Sequence, residues 1–246
     1  MQNERTANEI EHSRAVRAMF SGIATKYDLL NHVLSANADK RWRKLVREKL
    51  ADTLANENAV VLDVACGTGD LSLELRKHAK ARIIGTDFCR PMLKIANEKT
   101  AKLSLPVFYV EADAMQLSFA DESFDAVTIA FGLRNLSNFE DGLRELRRVL
   151  KPGGKLAVLE FSAPLVPGFK ALFKLYFTQI LPRIGGIVSG SRGAYEYLPD
   201  SVSRFPDQKN LVKMMQQAGL SEVEYKNLTG GIAAIHTGLR TSGLRR

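Results

Sequence analysis

Five short apolar runs set the architecture of this chain: "AVVLDVA" (59–65), "ARIIGTD" (81–87), "PVFYVEAD" (106–113), "FDAVTIAF" (124–131) and "GKLAVLEF" (154–161). Each is strand-length, and each of the first four precedes a stretch that can wind into a helix. Such alternation specifies βαβ units and a parallel sheet buried on both faces. Near the end, Leu211, Met214, Met215 and Ala218 recur at helical spacing between a capping Asp207 and a terminating Gly219. "EVEYKNL" and "IAAIHTGL" then flank Thr229-Gly230-Gly231 and predict an antiparallel hairpin, completing a seven-stranded mixed α/β sheet.

Two segments fall outside that pattern. Residues 1–55 read as an N-terminal helical cap. Residues 162–206 read as a helical insert after the fifth strand, between the strand-rich core (56–161) and the last helix and hairpin (207–246). All four belong to a single expected domain. In the insert, Leu165, Phe169, Leu172, Phe173, Tyr176, Phe177 and Ile180 form an apolar stripe, with Lys170, Lys174 and Thr178 on another face. The plainest role for such a stripe is core packing; its functional role would be a lid or a membrane-contacting face.

The 246 residues are 45% hydrophobic and 25% charged, enough for a large core without disulfides. Cys66 and Cys89 show no metal-ligand spacing, so no metal site is expected, and a reducing cytoplasm is the natural location. No secretory h-region and no run long enough to span a bilayer is present. The net charge is +8, and nine Lys/Arg against three acids fall between Arg14 and Lys49. Charge alone favours a solvated face over a nucleic-acid or lipid surface.

The first strand ends in "VVLDVACGTGDLSLEL", with Gly67 and Gly69 between strand and helix. Glycines there allow a tight turn and close approach to a ligand, while the helix start offers free N–H groups. Asp87, at the next strand end, is placed to accept both hydroxyl hydrogens of a ribose. Asp63 and Asp70 flank the glycines and would repel a diphosphate, so a cofactor cationic at that point, S-adenosylmethionine, is expected there. None of the six tyrosines has a Lys four residues later, which counts against a short-chain dehydrogenase. Asp113 could accept the adenine amino hydrogens, with Ala114 leaving room for the ring.

"LDVACGTGD", "GTDFCRPML", "EADAMQLSF", "FDAVTIAFGLRN" and "RVLKPGGKLAVLEFS" follow in the order of class I S-adenosylmethionine methyltransferases. "FGLRN", with "YDLLNHVLS", "RWRK" and "YEYLPDSV", resembles the quinone-biosynthesis C-methyltransferases of the UbiE/COQ5 family, from about Met19 to Leu239. The resemblance implies a Rossmann-like class I fold and C-methylation of a prenylated quinol ring in menaquinone or ubiquinone biosynthesis. It places cofactor contacts at Thr68, Asp87, Asp113, Ala114 and Ala130. Ala130 stands where many members carry Ser, so it offers no side-chain hydrogen bond.

On the acceptor side the resemblance implies that Arg134 meets a developing phenolate and Asn135 orients the same group. Tyr27, Asp28, Tyr195 and Tyr197 are candidates for the opposite wall. The proton acceptor stays open between Asp28 and a water held by Arg134, and His236 reads as a core or rim residue. A methyltransferase acting on another small molecule or on RNA is the alternative. The chain lacks the Pro-Pro motif of exocyclic-amine methylation and a well-placed nucleophilic Cys, so nucleic acid is not an expected partner. A basic surface against anionic lipid, where a prenylated quinol resides, is the expected peripheral contact; a homodimer is left open.

Overall fold

The computed structural model describes residues 5–35, 37–162, 164 and 192–241. Each apolar run forms a strand: β1 (Val60–Val64), β2 (Arg82–Asp87), β3 (Phe108–Glu111), β4 (Phe124–Ala130) and β5 (Leu150–Phe161). The predicted hairpin is β6 (Leu220–Leu228) and β7 (Ala233–Arg240). The seven strands make one sheet in the order β3-β2-β1-β4-β5-β7-β6. The first five are parallel, and β7 runs antiparallel between β5 and β6. Strand order reverses at β1 and β4, which opens a crevice at their carboxyl ends, the usual ligand position in such sheets.

Four helices precede β1: α1 (Ala7–Ile23), α2 (Tyr27–Leu34), α3 (Ala38–Lys49) and α4 (Ala51–Ala55). α5 (Asp70–Arg76) and α6 (Arg90–Leu103) follow β1 and β2, and α7 (Phe139–Val149) leads into β5. α8 (Arg192–Arg204) and α9 (Gln208–Gln217) precede the hairpin. The apolar stripe from Leu165 to Ile180 lies outside the described residues. Side chains alternate across the sheet as the strand period requires. Val61, Ala157 and Leu159 join Trp42, Leu71 and Leu75 on one face. Leu62, Leu156 and Val158 join Leu143, Leu146 and Met215 on the other.

One expected helix is absent. Between β3 and β4 the chain runs through turns rather than a helix. Asp113 Oδ1 accepts from Met115 N at 2.9 Å and starts a turn. Side chains of α7 then satisfy the backbone that a helix would have satisfied internally. Leu117 N donates to Glu145 Oε1 at 2.6 Å, and Arg148 donates to the carbonyls of Leu117 and Phe119, both at 2.9 Å. Without a crossover helix, Phe108 and Val110 on edge strand β3 stay 67% and 40% exposed.

Candidate active site

The turn after β1 is built from backbone that few residues tolerate. Gly69 has φ +82°, and a Cβ there would lie 2.4 Å from the Tyr109 hydroxyl. Ala65 (φ +50°) and Phe131 (φ +57°) are left-handed without being glycine, at the ends of the two central strands. Such strain persists only where surrounding contacts enforce it, and it concentrates at functional sites. Gly132 lets the two turns approach, since a Cβ there would sit 2.6 Å from Ala65 Cβ.

Between these turns and α1 lies a cleft with about 660 Å³ of empty space, its open mouth included. Ala65, Gly67, Asp87, Asp113, Ala114 and Gly132 form part of its sheet side, while Ser13 and Phe20 of α1 close it from above. Asp87 is held by two backbone amides: Gly67 N donates to Oδ2 and Cys89 N to Oδ1, both at 2.8 Å. Each oxygen keeps acceptor capacity for one more donor. Burial pushes the Asp87 carboxyl up to about 6, against the lowering effect of those amides. Asp113 is closed by the N-terminal segment, where Arg5 Nη1 donates to its Oδ2 at 2.8 Å. Its carboxyl lies below the usual value because hydrogen bonds from Arg5 and Met115 outweigh burial. α1 is pinned across the same mouth: Arg17 donates to Phe88 O at 2.7 Å, and His12 Nε2 lies 3.2 Å from Asn135 O.

Several expected contacts are placed elsewhere. Asp63 is 1% exposed and lies behind the cavity, accepting from Ser72 Oγ at 2.5 Å and Thr128 Oγ1 at 2.8 Å. Its burial lifts the carboxyl to about 6, and its work is to tie β1 to β4 and α5. Asp70, expected to face a cationic ligand, pairs with Lys99 at 2.5 Å and Arg43 at 3.2 Å. Thr68 is buried; its hydroxyl donates to Asp28 Oδ1 at 2.5 Å and accepts from Lys99. Asp28, with its second oxygen 2.6 Å from Lys99, is therefore not a free base. Ala130 packs against the core, and Phe131 and Gly132 line the cavity beyond it. His32, Asp39 and Asp70 bring ligand-capable atoms within 4.8 Å of one another, but Arg43 Nη1 lies 2.7 Å from Asp39 and 3.2 Å from Asp70. A guanidinium stands where a metal would.

The largest departure concerns Arg134. Rather than presenting a free cation to an acceptor, it is 8% exposed and paired with buried Glu160. Arg134 Nη1 lies 3.1 and 3.0 Å from the two Glu160 oxygens, and Arg134 N donates to Oε1 at 3.2 Å. Phe161 N completes the set at 2.9 Å. Burial dominates and holds the Glu160 carboxyl above its usual value, with Arg134 acting against it. Arg134 Nη1 and Asn135 Nδ2 also donate back to Phe131 O, at 2.5 and 3.2 Å, bracing the left-handed turn. Trp42 and Phe161 pack on the Phe131 ring.

Asn135 and Tyr27 do line the cavity. Tyr27 meets Phe20 edge-on at 5.8 Å, and burial raises its phenol above the ordinary value. Tyr195 falls in α8, with its side chain outside the described residues. Among the described residues, Arg134 Nε, Asn135 Oδ1 and Tyr197 Oη are buried polar atoms without partners. His236 is a core residue: it stacks on Tyr225, contacts Gln208 O at 3.0 Å and is lowered to about 4 by burial. Glu160 and Lys99 were not anticipated. A carboxylate at the end of the apolar run "AVLEF" was the available signal for Glu160. Lys99 sits on an ordinary charged helix and gave none.

The model of the ubiE/COQ5 methyltransferase family matches residues 7–240. A demethylmenaquinone methyltransferase of Thermus thermophilus is 51% identical over 225 residues, covering 90% of this chain and all of that protein. Another of that name, from Deinococcus radiodurans, is 47% identical and covers 93% of each. A ubiquinone/menaquinone biosynthesis C-methyltransferase of a Geobacter species is 43% identical, over 94% of this chain and 98% of that one. Among solved structures, a SAM-dependent methyltransferase of Thermotoga maritima superposes with a TM-score of 0.63 at 18% identity, covering 91% and 99%. A phosphoethanolamine N-methyltransferase of Haemonchus contortus, in complex with S-adenosyl-L-methionine, gives 0.60 at 15% identity, covering 80% and 52%.

Proposed function

The chain belongs to the ubiE/COQ5 methyltransferase family, and on that premise we propose that it methylates a ring carbon of a prenylated quinol, with demethylmenaquinol as acceptor and S-adenosylmethionine as donor. The observation that carries this reading is the 51% identity, over nine-tenths of the chain, to a protein named for that reaction. The residues around the cavity fit the donor. Asp87 keeps one acceptor position on each oxygen for a pair of ribose hydroxyls. Phe88 and Met92 offer an apolar wall, Ala114 leaves room beside Asp113, and Gly67 brings backbone close.

S-adenosylmethionine, when bound, supplies a methyl group made electrophilic by its sulfonium. The protein's part is alignment and exclusion of water. Tyr27, Phe20, Phe131 and Leu136 line the cavity with apolar surface against which the quinol ring would lie, and Asn135, braced on Phe131 O, is placed to orient its hydroxyl. Arg134, neutralised by Glu160, holds that turn in shape. The hydroxyl proton passes to solvent as the ring carbon forms its new bond, since Asp28 is already engaged with Lys99 and Thr68. The basic stretch of α3 rests on anionic lipid, where a prenylated acceptor is delivered.

The test supplies purified protein with methyl-labelled S-adenosylmethionine and, in parallel, demethylmenaquinol or 2-methoxy-6-polyprenyl-1,4-benzoquinol. Label in the naphthoquinol supports the reading. Label in neither overturns it.

A further inference from the structure

Lys99, on α6, does not line the cavity, yet its ammonium is fully committed. Nζ lies 2.6 Å from Asp28 Oδ2, 2.5 Å from Asp70 Oδ1 and 3.2 Å from Thr68 Oγ1. An ammonium has three donors, and here each has an acceptor from a different part of the fold: α2, α5 and the glycine turn. Thr68 closes the triangle by donating to the other oxygen of Asp28 at 2.5 Å.

The far end of α2 is fastened as well. His32 Nδ1 and Ser35 Oγ lie 2.8 and 2.6 Å from the carboxylate of Asp39, which pairs with Arg43. The residue before Asp28 is Tyr27, whose Cε1 would lie 3.8 Å from a Cβ built on Gly67. Anything that moves the first turn of α2 therefore moves the Tyr27 ring along the cavity wall.

The side chains of Lys99, Asp28 and Asp70 are 22–26% exposed. Pairs that wet add little to stability, with values of about 0–1 kcal/mol typical of exposed pairs. Direction is what such a triangle supplies, because charge-assisted bonds from three elements define one position for α2.

We propose that Lys99 is a positioning residue for methyl transfer, acting through the Asp28–Thr68 triangle to hold Tyr27 against the glycine turn. The proposal rests on the reading of Tyr27 as part of the acceptor wall. A side chain displaced by about 1 Å near a reacting centre costs up to about a hundredfold in rate. Lys99→Met is therefore expected to lower kcat for demethylmenaquinol about tenfold, with the Kd for S-adenosylmethionine changed less than about threefold. In a Tyr27→Ala background, Lys99→Met should cost no more than about twofold, as residues acting through one another are non-additive.

Hydrogen exchange reads the same device without substrate. Amides of residues 27–31 should exchange faster in Lys99→Met and remain as in wild type in Lys77→Met, which breaks only the Lys77–Glu74 pair. Unchanged exchange at 27–31, or equal kcat losses in the two Tyr27 backgrounds, overturns the proposal while leaving the acceptor site standing. Full turnover by Tyr27→Ala removes Tyr27 from the acceptor wall and takes the proposal with it.

Discussion

Arg134 and Glu160 show how burial changes what a charged residue can do. Read along the chain, an Arg two residues beyond Gly132 at a strand end is a free cation waiting for an anion. In the fold its anion is already present, 3.0 Å away and 1% exposed. Removing one member of such a pair strands the other in apolar surroundings, at a cost of about 3–5 kcal/mol. Arg134→Ala should therefore lower stability by about that amount in chemical denaturation, beyond any effect on turnover. Arg134→Met combined with Glu160→Gln, which leaves no orphaned charge, should lose distinctly less. Equal losses would show that the ion pair is not what holds the turn.

Asp87 makes a complementary case. With its carboxyl raised to about 6 by burial, Asp87 takes up a proton as pH falls below that value, and one oxygen then turns from acceptor to donor, which would cost the proposed ribose contact. Affinity for S-adenosylmethionine should fall as pH drops from 7 to 5, steepening below about 6. Asp87→Asn should bind weakly with little pH dependence, and titration calorimetry at several pH values distinguishes the two. The stability contribution has the opposite sign. A carboxyl raised above its ordinary 3.8 favours the fold below about pH 4, and that contribution is lost as pH rises through about 6.

At the scale of elements, the informative feature is the helix that does not form between β3 and β4. The run 112–123 has apolar residues enough to be imagined as helix, but its backbone partners come from α7. Glu145 and Arg148 reach it because α7 is amphipathic, burying Leu143, Leu146 and Val149 while its other side spans the loop. Arg148 also pairs with Asp121 at 2.6 Å, and its hydrogen bond to Glu145 is the main cause that raises its guanidinium further. Arg148→Met should free the carbonyls of Leu117 and Phe119 and loosen the wall that carries Asp113 and Ala114. The expected result is an S-adenosylmethionine Kd weakened by about three- to tenfold, with faster amide exchange over 112–119. An unchanged Kd would mean that Asp113 and Arg5 hold that wall unaided.

At the scale of the whole molecule, the basic surface that the described residues form between Arg14 and Lys49 is smaller than their count suggests. Of the nine Lys/Arg between Arg14 and Lys49, Arg17, Arg43, Lys44, Arg47 and Lys49 pair with acids. Arg14, Lys40 and Arg41 are exposed. No helix among the described residues is long and apolar enough to cross a membrane. Contact with lipid would thus rest on few charges and should be weak and salt-sensitive. Sedimentation with anionic vesicles should fall steeply between about 50 and 200 mM salt, and Lys40→Glu with Arg41→Glu should abolish it. Binding indifferent to salt, or to both substitutions, would leave these residues as a solvated face.

The sequence by itself determined the strands, their parallel run, the terminal hairpin and the family. Those features are written in local periodicity and in motifs such as "GTG" and "FGLRN", whose spacing survives without knowledge of contacts. It also marked Asp87, Asp113 and Asn135, because a polar residue at a buried strand's end has only one region of space to occupy. Tertiary structure alone decided which charges are spent. Asp63, Asp70, Asp28, Thr68 and Arg134 carry the chemistry of a binding site, and the fold engages each with Ser72, Lys99, Arg43 or Glu160. Those partners lie 9 to 71 residues away along the chain. A charge is neutralised by what lies within about 4 Å in space, and that distance is settled only when the elements pack.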